Sequence, residues 1–225
     1  MPWQGPHFSP RRDDPGHGAA ARARLGADLG TSASLDSATL SLSTLSTTLD
    51  DSLDIYADVI RNAAFPANEF ERLQKQRLAS IAQEKRQPTS LALRTLGPLL
   101  YGKDHAYGIP LTGSGTLAAI ERMKVDDVRT FADTWLRPDN ATLVVVGDTT
   151  MDELKPMLEA HLGDWSAAND KPLPEKRLPD ITPPEAAHIY LVDRPGSNQA
   201  TVIAGNVAPP KSSDQDVAME TVNAV

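Results

Sequence analysis

The sequence predicts a chain of mixed helix and strand, α+β in class. Three observations carry that expectation. Residues 25–49 alternate apolar positions with hydroxyl residues, the two-residue period of half-buried strands. Residues 50–65, 69–88 and 125–136 space their apolar residues at the helical period instead. Residues 137–150 run from a Pro-Asp-Asn turn into an uninterrupted apolar stretch closed by Gly147-Asp148, which predicts a buried strand over 140–147.

Taken in order, "LGADLGTSASLD" (25–36) and "SATLSLSTLSTTL" (37–49) form an expected antiparallel strand pair joined near Leu35-Asp36. In the helix expected over 50–65, Leu53, Tyr56, Ala57 and Ile60 share one face, the Asp50-Asp51-Ser52 start suits a helix N-terminus, and Pro66 ends it. The next helix, "EFERLQKQRLASIAQEKRQP", aligns Phe70, Leu73, Arg77 and Ile81 and stops at Pro88. Residues 89–101 predict a third helix interrupted near Gly97-Pro98. Short helices follow over 115–123 and 125–136, and an amphipathic one follows Gly147-Asp148. The repeated prolines and lysines of 167–185 read as a linker, 187–194 and 199–209 as two further strands, and "DQDVAMETVNAV" as another helix.

Composition narrows the function. The chain has 225 residues, 40% hydrophobic and 23% charged, as is ordinary for a soluble globular protein with a real core. Acidic residues outnumber basic ones, 30 to 22, for a net charge of -8, which argues against nucleic acid as a partner. No stretch is long and apolar enough to span a bilayer. The absence of cysteine excludes disulfides, thiolate zinc sites and thiol catalysis. The N-terminal residues lack the apolar core of a secretory signal.

The chemistry-bearing residues do not assemble into a motif. His7, His17, His105, His161 and His188 never fall three or four apart, so no helix face offers an imidazole pair. They read as solvated or singly packed histidines. The hydroxyls of "SLSTLSTT" have no base near them in sequence, and no G-x-S-x-G occurs. Gly113-x-Gly115-x-x-Ala118 loosely fits a dinucleotide fingerprint but follows a loop rather than a strand, so a glycine turn ahead of a helix near Thr116 is the better reading. Asn140-Ala141-Thr142 forms a glycosylation sequon of little weight. The Asp50-Asp51 and Asp126-Asp127 pairs suit helix starts without catalysis.

The combination "LLYGKDHAYGIPLTGSGTLAAIERM…RPDNATLVVVGDTT", preceded by "TLDDSLDIYADVIRNAAFPANEFERLQKQRL" and followed by "YLVDRPGSNQATVIAG", resembles the pitrilysin/insulinase family of zinc metallopeptidases, in its bacterial, mitochondrial-processing-peptidase-like branch. The likeness runs from about Leu25 to Val225. It implies a half-domain with an antiparallel-rich mixed sheet and helices on one face, plus the start of a second similar unit. In that family one half carries H-x-x-E-H and a third carboxylate ligand on a later helix. The other half lacks them and closes the substrate chamber.

This chain resembles the non-catalytic C-terminal half. With register set by Pro88, the third-ligand position falls on Ser80, a poor zinc ligand; Glu84 lies one turn further and is the alternative position. The resemblance therefore implies no catalytic residue, no metal ligand and no cofactor in this chain, which alone would be inactive, with zinc held by an H-x-x-E-H partner half on the same or another polypeptide. It implies peptide as substrate and a periplasmic or secreted location. It points more weakly to Gly113, Gly115, Arg137, Asn140, Gly147 and Asp148 as substrate-binding or structural positions. The expected organisation is a disordered or non-native segment over 1–24, a peptidase-like domain over 25–166, the linker over 167–185 and a second domain beginning at 186–225. The expected whole is a fragment of a two-half peptidase; the alternatives are a scaffold subunit of the same fold and a non-functional gene fragment.

Overall fold

The computed structural model describes residues 23–182, 184–209 and 214–223. The expected N-terminal segment, with His7 and His17, falls almost entirely outside them. The described chain confirms the α+β class: after the helical residues 23–25, two strands, seven helices and two short 3-10 turns follow one another. It divides into two units. The first comprises residues up to 77 and 118–175, and the second comprises 78–117 and 176 onward.

In the first unit, β1 (Asp28–Ala33) and β2 (Ala38–Ser43) pair antiparallel, with Leu29 opposite Leu42 and Ala33 opposite Ala38. The turn closes as Ser34 N–H donates to the Ser37 carbonyl at 2.8 Å, and the Ser34 hydroxyl accepts from the Ser37 N–H at 3.1 Å. Helix α1 (Leu49–Arg61) then buries Leu53, Tyr56, Ala57 and Val59, the helical face anticipated from sequence turned slightly toward Val59. Tyr56 reaches back to β2, its hydroxyl donating to the Leu40 carbonyl. Ser52 is fully buried because its hydroxyl donates to the Thr48 carbonyl at 2.6 Å and meets Thr44, so its polarity is satisfied inside the core.

Helix α2 (Ala67–Glu84) contributes residues to both units. In the first unit Gln74 caps the exposed carbonyls of Ile120 and Met123 at the end of α4 (Leu117–Arg122). Helix α5 (Val125–Trp135) begins with the Asp127 carboxylate accepting from the Lys124 N–H at 2.7 Å. Helix α6 (Met151–Leu162) begins with a reciprocal cap, Thr150 with Glu153. Leu154 of α6 is buried, and α6 packs on α1.

The second unit holds α3 (Pro88–Tyr101) and, late in the chain, α7 (Asp216–Asn223). Here the sequence expectation fails: α3 is not interrupted at Gly97-Pro98 but runs through both. The reason is packing. Gly97 is buried with the Ile109 backbone lying across it, and an added Cβ would sit 2.1 Å from the Ile109 carbonyl oxygen. Leu111 N–H also donates to the Leu93 carbonyl, tying the following loop to the helix. These contacts hold the helical backbone across a proline that removes only one N–H donor.

A second correction concerns the sheet. Residues 138–140 form a 3-10 turn, and 141–146 carry no strand ladder, so the expected strand over 140–147 is absent, as are those over 187–194 and 199–209. Among the described residues the sheet has two strands only. The strand chemistry is nevertheless visible. Exposure alternates along the segment: Val144 and Val146 are 78% and 94% exposed, Leu143 and Val145 only 47% and 43%. Ile189 and Leu191 stand open at 96% and 91%, with Tyr190 and Val192, the alternate positions, more covered. Two-residue alternation without a hydrogen-bonding neighbour is what a strand sequence shows when no partner strand lies beside it.

Gly97→Ala is expected to destabilise the chain by about 1–3 kcal/mol, because the backbone beneath it must move. Gly147→Ala, where the space is open, should stay within about 0.5 kcal/mol of the unsubstituted chain. Denaturant midpoints of the two variants measure the contrast.

Candidate functional site

The densest polar arrangement in the second unit is built around an arginine on an otherwise apolar helix. In "PTSLALRTLGPLLY" Arg94 is the one charged residue of α3, and it is buried. A buried guanidinium has to find acceptors for its donors. Arg94 does so by donating to the Glu84 carboxylate at 2.7 Å, to the Ser114 and Thr112 hydroxyls, and through Nη2 to the Gly115 carbonyl at 2.9 Å. The Ser114 hydroxyl in turn donates to Glu84 at 2.7 Å. The end of α2, the middle of α3 and the loop 112–115 are thereby joined through one carboxylate.

Gly113 and Gly115 make that joint possible. Both have positive φ, 70° and 76°, so the chain turns sharply on each side of Ser114 and carries its side chain inward to 2% exposure. The loop is a glycine turn and not a phosphate cradle. It leads into a helix of six residues, and its central hydroxyl is used by Arg94 and Glu84.

The electrostatics of Glu84 follow. Burial pushes its carboxyl up, but the hydrogen bonds from Ser114, Arg94 and Thr112 and the charge of Arg94 together outweigh burial and lower it below the ordinary carboxylate value. Glu84 is thus a committed ion-pair partner. Ser80, one turn back on α2, offers only a hydroxyl. Among the described residues no group of three or more His, Cys, Asp or Glu side chains is arranged to hold a metal. The donor set around α2 does not fit zinc.

The other candidate positions lie in the first unit and have structural partners there. Arg137, 8% exposed, forms a two-pronged pair with Asp139 at 2.6 and 2.8 Å and donates to the Lys171 carbonyl. Asn140 caps the end of α5 by donating to the Trp135 carbonyl at 2.9 Å. Together they shape the turn after α5. Gly147 and Asp148 are exposed in the bend ahead of α6.

Two of the histidines are also more committed than the sequence indicated. The His105 ring, in the second unit, stacks on Tyr101; its Nδ1 accepts from the Tyr107 N–H, and its Nε2 faces the Pro179 carbonyl at 3.2 Å. An accepting Nδ1 leaves Nε2 as the protonated, donating nitrogen. In the first unit, His161 lies between Asp50 and Asp54. Arg94 was legible as a lone charge on an apolar helix. The acid pair opposite His161 was legible only as two carboxylates four apart on α1.

Arg94→Met is expected to destabilise by about 3 kcal/mol, because it strands a half-buried carboxylate. Adding Glu84→Met should recover most of that loss. Since the Glu84 carboxyl is lowered in the fold, its contribution is fully present above the ordinary carboxylate range and disappears as pH falls through the lowered value. Urea midpoints at neutral and acid pH, compared with Glu84→Gln, read both effects.

Residues 122–225 match the family model described as the peptidase M16 inactive domain. Among solved structures, the chain is similar to a peptidase M16 inactive domain from Pseudomonas fluorescens, with TM-score 0.68 and 26% identity, covering 80% of this chain and 42% of that one. It is similar to a protease from Helicobacter pylori, with TM-score 0.67 and 19% identity, covering 76% and 41%. The periplasmic protease PqqL from Escherichia coli shares the fold with TM-score 0.57 and 17% identity, covering 72% of this chain and 18% of that one. The chain therefore spans less than half the length of each of these structures. No curated protein matches it.

Proposed function

We propose that the chain, which is similar to the M16 peptidases on the side of their inactive domain, serves as the substrate-chamber half of a zinc-dependent peptidase. The single observation that carries the reading is the inactive-domain match over 122–225 joined to the fold likeness over 80% of the chain. The proposed division of labour is as follows. A partner half bearing H-x-x-E-H, on the same or a separate polypeptide, holds zinc, which polarises the peptide carbonyl and activates water when bound. This chain supplies wall and peptide contacts.

What its own residues do is consistent with that role. The Glu84 carboxylate is held through Oε2 by Arg94 and Ser114, whose positive charge and hydroxyl make it a joint of this unit. The unpaired apolar segments at 141–146 and 187–194 have the alternation that accepts an added strand, from peptide or from the remainder of the sheet. Gly113 and Gly115 are proposed as structural positions of the loop, and Arg137 and Asn140 of the turn after α5. Gly147 and Asp148, open to solvent, are the proposed contacts for peptide. The proposed organisation keeps a peptidase-like domain over 25–166, a linker over 167–185 and a second such domain from 186, as part of a longer two-half peptidase. The proposed location is periplasmic; among the neighbours, PqqL is a periplasmic protease, and among the described residues no helix is long and apolar enough to cross a membrane.

The test is reconstitution. The purified chain is incubated with unstructured casein peptides and zinc, alone and with a zinc-loaded H-x-x-E-H half encoded in the same genome. The chain alone is expected to release no fragments, and the mixture to cleave in a chelator-sensitive way. Chelator-sensitive cleavage by the chain alone overturns the reading. A stable complex that contains no zinc and cleaves nothing identifies a scaffold subunit instead.

A further inference from the structure

We propose that His161 is a protonation-dependent latch that fastens α6 to α1. Its two ring nitrogens face two different carboxylates: Nε2 stands 2.9 Å from Asp50 Oδ1, and Nδ1 stands 2.9 Å from Asp54 Oδ1. A neutral imidazole carries one N–H and one lone pair, so it can satisfy only one of these contacts and must turn its lone pair on the other carboxylate. Only the imidazolium donates to both. The geometry is therefore that of the charged form.

The surroundings make the charge decisive. The His161 side chain is 12% exposed, whereas those of Asp50 and Asp54 are 71% and 74% exposed. The histidine is covered while its two partners remain hydrated. The helix ends agree: His161 lies in the last turn of α6, where a cation is favoured, and Asp50 lies in the first turn of α1, where an anion is. Several of the neighbouring charges have other partners. Arg61 at the end of α1 bonds Asp164 just past α6, Lys155 and Glu159 of α6 form their own pair, and Asp58 of α1 accepts from Asn62. Asp50 and Asp54 are thus the carboxylates that meet the ring.

Hydrogen bonding to Asp50 raises the His161 pKa, burial opposes it, and the charges of Asp54 and Asp50 raise it further, so that it ends above the ordinary histidine value of about 6.5. A group raised in the fold contributes fully below its unfolded pKa and loses that contribution as pH rises through the folded one. The latch is closed in acid and released on the alkaline side. What it releases is the helix that directly follows the apolar segment 141–146 and the exposed Gly147-Asp148 bend.

The experiment uses the full chain. An NMR titration follows the His161 ring protons, and hydrogen exchange reads protection of α6 amides, relative to those of α3, at pH values either side of the transition. The expected result is a His161 transition above that of free imidazole in the denatured chain, with α6 protection falling a few-fold through that transition, the reach of a partly exposed ion pair. Asp50→Asn with Asp54→Asn should return the titration to the ordinary value, and His161→Gln should leave α6 protection low and flat with pH. An ordinary His161 titration in the unsubstituted chain, or α6 protection that does not change through it, overturns the proposal.

Discussion

An extended segment can satisfy its backbone only against a neighbour, and this constraint governs what the chain builds and what it leaves open. A helix closes its hydrogen bonds within itself, so α1 to α6 form from local sequence and need tertiary contacts only for burial. A strand has no such resource. The segments 28–33 and 38–43 are joined by a four-residue turn, each finds the other, and the ladder forms. The segment "TLVVV" has equal or greater strand propensity, yet the structure shows it unladdered with Val144 and Val146 bare. Propensity selects the extended backbone, and the partner decides whether it becomes a sheet.

That distinction explains how much was legible in the sequence. Helices were located by apolar spacing and polar starts, which are local signals, but the first two end earlier than their prolines suggest, at Arg61 rather than 65 and at Glu84 rather than 88. The β1–β2 pair was legible for the same reason. Three further strands were expected and are absent, since "TLVVV", "AHIYLVDR" and "QATVIAG" record a preference for extension but say nothing of their neighbours. Gly97-Pro98 misled in the opposite direction: two residues that weaken an isolated helix are held in one by the backbone of Ile109, a contact separated by a dozen residues.

The candidate site shows the same limit at the level of charge. Ser80 and Glu84 could be located by register, and Gly113 and Gly115 recognised as a turn. What could not be read was that the turn, the carboxylate and Arg94 belong together. The lone guanidinium in an apolar helix was a requirement without an address. Its partners lie ten residues back, at Glu84, and some twenty ahead, at Ser114 and Gly115. A charge taken from water constrains its surroundings strongly, but only the fold says which acceptors answer it.

The chemistry of the Glu84 carboxylate then bears on the character of this half of the fold. A carboxylate that is to bind a divalent cation must be ionised, accessible and free to turn its oxygens outward. Glu84 is ionised, but its Oε2 accepts from both Arg94 and Ser114, and the guanidinium supplies the positive charge that a metal would otherwise bring. Adding zinc beside Arg94 would place two cations on one carboxylate. The same pair that fastens the glycine loop to α3 therefore disfavours metal at this end of α2. The use the fold makes of this acidic group is structural: its Oε2 joins Ser114, between the two glycines of the loop, to Arg94 in the middle of α3.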